Sequence, residues 1–72
     1  MTLADAQDGQ AVFVTRTNGE EITSQAMRFG IGEGTKIQIQ KNIKGGPVII
    51  SKNQLEIAIG RKLAQLIEVA PE

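Results

Sequence analysis

The chain has 72 residues, 40% of them hydrophobic and 22% charged, a length and balance that fit one folded domain over residues 1–72 and exclude both disorder and a second domain. Eight basic and eight acidic side chains leave no formal net charge, which excludes a general attraction to phosphate backbones or anionic lipid. The absence of cysteine and histidine excludes disulfides, thiolate metal ligands and the usual acid–base residue near neutral pH, so any bound metal needs oxygen ligands.

Asp5-Ala6-Gln7-Asp8-Gly9 is rich in turn formers, and the β-prone Val12, Phe13 and Val14 that follow mark a first strand from Gln10 to Thr17. Asn18-Gly19 resembles a tight hairpin turn, yet Ile22, Ala26 and Phe29 recur at i, i+4 and i+7, which predicts a short helix over Glu20 to Arg28. Glu20 and Glu21 at its start and Arg28 at its end suit the helix dipole, and Gly30 fits a left-handed C-terminal residue. Glycines 30, 32 and 34 break the helix, and Ile37 and Ile39 alternate with polar residues in a second strand from Lys36 to Lys41. Pro47 to Ser51 reads as a third strand, Leu55 to Ile59 as a fourth, Gly60 to Gln65 as a helical turn, and Leu66 to Val69 as a fifth strand.

Five short strands in so small a chain are most economically arranged as a closed or partly open β-barrel. The expected core is Val12, Val14, Ile37, Ile39, Val48, Ile50, Leu55, Ile57, Ile59, Ile67 and Val69, with Met27 and Phe29 plugging it. Met1 to Asp5 has no basic segment followed by an apolar core, and no apolar run approaches the roughly 20 residues that span a bilayer. The expectation is a soluble intracellular protein without direct membrane insertion.

The glycine cluster with Thr35-Lys36 differs from a phosphate loop in residue order, and a strand rather than a helix follows it. Tight turns are the favoured reading. Glu20, Glu21, Glu33, Asp5 and Asp8 lack a metal-loop spacing and read as solvated or capping carboxylates. Lys41, Lys44 and Lys52 suggest a small basic patch, but Phe13 and Phe29 are the only aromatics, too few for the stacking surfaces of single-strand binders. Ser24 and Ser51 have no histidine to activate them, so no catalytic residue and no cofactor is assigned.

The run Ser24-Gln25-Ala26-Met27-Arg28-Phe29-Gly30-Ile31-Gly32-Glu33-Gly34-Thr35-Lys36-Ile37 resembles the helix and turn of the FeoA family, which typically reads Arg-Arg-Leu-Met-x-Leu-Gly-Ile-x-Pro-Gly-Thr-x-Ile. Gly45-Gly46-Pro47-Val48 is similar to the family's Gly-Asp-Pro-Ile hairpin, and Leu55 to Ile59, Ala64 and Ile67 to Val69 resemble its closing elements. Departures lie at Ser24-Gln25-Ala26, Glu33, Gly46 and Gly60, and those at the helix and after the fourth strand reduce the family's positive charge. The resemblance implies a mainly β, SH3-like barrel and a non-enzymatic cytoplasmic accessory role in ferrous-iron transport, and the absence of cysteine and histidine adds the expectation of no stable metal site. It implies as partner FeoB, the membrane ferrous-iron transporter with a cytoplasmic GTP-binding region. Gln25, Arg28, Ile31 and Glu33 are the expected partner surface, on the polar side of the helix and its turn. Alternative readings are an SH3-like regulatory domain acting with an iron-dependent transcriptional repressor, or a general small-barrel interaction module.

Overall fold

A computed structural model describes all residues 1–72. Its strands are β1 (Ala11–Thr17), β2 (Lys36–Asn42), β3 (Val48–Lys52), β4 (Leu55–Ile59) and β5 (Ile67–Pro71), with helices α1 (Glu20–Arg28) and α2 (Arg61–Ala64). They form one antiparallel sheet in the order β4-β3-β2-β1-β5. Each expected element is present: α1 and β4 have the expected bounds, and the others differ by one or two residues at an end. A 3-10 turn at Leu3–Asp5 is additional.

Alternation places Val12 and Val14, Ile37 and Ile39, and Val48 and Ile50 on the buried side of the curved sheet. Bulges between Val14 and Arg16 in β1, and between Ile39 and Lys41 in β2, curl the sheet around this core. Leu3 and Ala6, upstream of the first strand, are also buried in it.

Three residues expected in the core lie elsewhere. Met27 is 68% exposed, Leu55 67% and Phe29 41%. Helix α1 is short and buries a narrow stripe, Ala26 fully and Ile22 in part. Met27 follows Ala26 by one residue, about 100° around the helix, and so points outward. Leu55 opens β4 at the hairpin tip, beyond the end of the core.

The sheet does not close by a β4–β5 ladder, because α2 lies between these strands in the chain and the N-terminus occupies the outer edge of β5. There Val69 N donates to Met1 O at 2.8 Å, and Thr2 bridges to Glu68. Asp5 accepts hydrogen bonds from the Thr2 amide and hydroxyl, which hold its carboxyl below the usual carboxylate range.

β3 and β4 are joined by Asn53 and Gln54, with φ of 52° and 69°, the two-residue type I′ turn whose twist matches an antiparallel hairpin. A left-handed backbone costs a glutamine roughly 1–2 kcal/mol that a glycine does not incur. Gln54→Gly is therefore expected to raise stability by about 1 kcal/mol, read as a higher urea midpoint at unchanged slope; a lower midpoint would refute the turn assignment.

Candidate functional site

No group of three or more carboxylates stands together in an arrangement able to hold a metal ion, and no helix is long and apolar enough to cross a membrane. The glycine turn spends its amides internally: Gly34 N donates to Val14 O and Thr35 N to Gly32 O. The basic residues of the β2–β3 region disperse as well. Lys41 lies 3.6 Å from Asp8, while Lys52 donates to the Gly30 carbonyl. The remaining distinctive surface is around α1.

Helix α1 ends in a Schellman motif. Gly30, at φ 75°, turns the chain so that its amide donates to Met27 O at 3.0 Å and the Ile31 amide to Ala26 O at 2.9 Å. The reversal drives Ile31 back under the helix, where it is fully buried. The expected partner surface is corrected accordingly: Ile31 is a core residue, because a Schellman motif folds its second post-helical residue onto the last turn. Gln25 is half-buried, and Arg28 and Glu33 are exposed.

Gln25, Arg28 and Phe29 line one hollow together. It adjoins a groove of about 550 Å³ between α1 and α2, lined by Ile22, Gln25, Phe29, Lys62, Leu63 and Leu66. Glu33 stands apart from both. Its carboxylate accepts from the Thr17 amide at 3.4 Å, beside a hydroxyl chain in which Thr17 donates to Thr23 at 2.6 Å and Thr23 to Gly19 O at 2.8 Å.

The two helices flank this groove because the turn before α1 is tied to the segment after α2. Asn18 N donates to Leu66 O at 3.0 Å, and its side-chain amide reaches Glu68 at 3.1 Å. Phe29 and Leu66 are left 41% and 40% exposed across the groove. No carboxylate lines it; Glu21, bonded to Gln25 at 3.5 Å, is beside it. An open apolar floor with a cationic rim suits docking of another macromolecule rather than catalysis. Phe29, Lys62 and Leu66 were not among the expected surface residues. The available signal was an excess of apolar side chains at the end of α1 over what its narrow buried stripe accommodates.

The FeoA domain model matches residues 1–71 of the chain. The chain belongs to the FeoA family. A relative from Methanocaldococcus jannaschii named "Putative Fe(2+) transport protein A" is 40% identical over 68 residues, covering 93% of this chain and 82% of that protein. The crystal structure of an iron uptake regulatory protein (FeoA) superposes with a TM-score of 0.91 at 26% identity, over 100% of this chain and 97% of that one. A manganese-dependent transcriptional repressor matches with a TM-score of 0.88 at 18% identity, over 99% of this chain and 40% of its own. This likeness is one of fold. The SH3-like barrel of FeoA proteins is thus shared with metal-dependent repressors.

Proposed function

We propose that this FeoA-family chain is a non-catalytic cytoplasmic accessory module of ferrous-iron transport, and that it docks on the cytoplasmic GTP-binding region of a FeoB-type membrane transporter. Family membership over the whole chain supports the transport role. The observation that carries the docking role is the groove between α1 and α2, whose Phe29 and Leu66 are exposed and whose lining contains no carboxylate. The proposed contact surface is Gln25 and Arg28 with Phe29, Lys62 and Leu66, and Glu33 at its periphery.

Buried apolar anchors ringed by polar groups concentrate binding energy in such surfaces. Two like-charge changes at the rim act against a partner selected for cationic contacts. Calorimetric titration of the transporter's cytoplasmic region is expected to show Gln25→Glu combined with Arg28→Glu weakening binding by about tenfold or more, a loss of roughly 1.4 kcal/mol. Unchanged affinity in this double variant would sink the assignment of the surface.

A further inference from the structure

The two edges of the sheet are unequal. β5 is covered by Met1 and Thr2, whereas β4 pairs with β3 alone, and no turn, loop or side-chain hydrogen bond reaches any residue from Leu55 to Ile59. Natural edge strands are usually blunted by proline, several charged side chains or a bulge. Leu55-Glu56-Ile57-Ala58-Ile59 has no proline, a single charge at Glu56, and pairs with β3 without a register shift.

Which backbone groups face outward follows from the hairpin. The two-residue turn makes Lys52 and Leu55, which flank it, a hydrogen-bonded pair. Alternation then directs the amides and carbonyls of Leu55, Ile57 and Ile59 inward to β3. Those of Glu56 and Ala58 point away from the sheet.

We propose that β4 is a strand-addition edge and that its occupant is a second copy of this chain, paired antiparallel about Ile57. In this register Glu56 and Ala58 exchange both hydrogen bonds with Ala58 and Glu56 of the second copy, so every outward group in the overlap is satisfied. Ile57 packs against its own symmetry mate as the close, non-hydrogen-bonded pair. The exposed Leu55 lies opposite Ile59 of the other copy. The two Glu56 carboxylates are opposite alanines rather than each other, so no like charges oppose.

The strand is therefore self-complementary about its centre, which favours a second copy over an unrelated extended segment. The contact is isologous and closes after two copies. Five residues bury less than the roughly 1,000 Å² of a stable interface. A dissociation constant on the order of 0.1–1 mM is expected. The proposal rests on β4 alone and is independent of transporter binding.

The test is sedimentation equilibrium with amide exchange measured from micromolar to millimolar protein. Protection at the Glu56 and Ala58 amides should rise with concentration, while the Leu55, Ile57 and Ile59 amides stay protected throughout. Ala58→Pro removes an outward amide without touching the β3 ladder, a substitution edge strands tolerate, and should leave a folded monomer. Ala58→Lys, opposite Glu56 of the other copy, should tighten the dimer by about threefold, and Ala58→Glu should weaken it by about threefold. The charge pair decides the matter should the proline variant not fold. A monomer at millimolar concentration with flat exchange at both amides, self-association that survives Ala58→Pro, or an equal response to Lys and Glu at position 58 would each overturn the proposal.

Discussion

Arg61→Met is expected to lower the stability of the folded chain by about 3 kcal/mol, because Gly46 O and the Asn42 side-chain oxygen lose their hydrogen-bond donor while Ala4 O and Ile43 O lose a charged one. Arg61 begins α2, and its guanidinium donates to Gly46 O at 2.8 Å, Ala4 O at 3.2 Å, Ile43 O at 2.6 Å and the Asn42 side-chain oxygen. Asn42 in turn donates to Ala4 O and Ala6 O at 2.9 and 2.7 Å. One planar fork thus joins α2, the β2–β3 hairpin and the N-terminal turn that delivers Leu3 and Ala6 to the core. For a chain of this size the loss corresponds to a fall in Tm of roughly 10–20 °C. Arg61→Lys should recover less than half, since a single ammonium cannot reach carbonyls on three sides. Thermal and urea unfolding measure both variants. A Met variant within about 0.5 kcal/mol of the parent would mean that the polar hub is dispensable.

Ile31→Ala is expected to be nearly as damaging, at about 2–4 kcal/mol. The contrast with its neighbour gives the prediction its edge. Arg28→Glu, three residues earlier and exposed, should change stability by no more than about 0.5 kcal/mol apart from a small cost at the negative end of the helix dipole. The two variants should also separate in binding: Arg28→Glu weakens transporter association in a stable protein, whereas Ile31→Ala weakens the fold first. Urea midpoints compared with calorimetric affinities, at a temperature where both variants remain folded, provide the check. An Ile31→Ala protein of parental stability but impaired binding would return this residue to the surface.

The expected elements came from signals local in the chain. Alternation in Lys36 to Lys41, the i, i+4 spacing of Ile22 and Ala26, and Gly30 in the left-handed region each depend on residues a few positions apart. That is why helix α1 and β4 have the expected bounds. The Schellman reversal at Gly30 turned Ile31 inward, whereas Met27, Phe29 and Leu55 were misplaced for one shared reason. Hydrophobicity and spacing identify which residues can be buried, but not how much of a short helix or strand the core has room to cover. The apolar half of the candidate groove was illegible because Phe29 and Leu66 are 37 positions apart and are brought together by the β1–β5 ladder and by Asn18 bonding across to Leu66.

The sequence by itself determined a mainly β fold of five strands and two short helices, the absence of cysteine and histidine, and the pattern that links the chain to FeoA proteins. Periodicity, turn residues and composition are properties of neighbouring residues, so they can be read in one dimension. Only the tertiary structure decided that the barrel stays open between β4 and β5, that Arg61 unites three distant segments, and that the expected surface loses Ile31 to the core. These outcomes depend on which backbone groups find partners across long separations in the chain. The number of such partners is limited, and the N-terminus takes the edge of β5 while leaving that of β4 free.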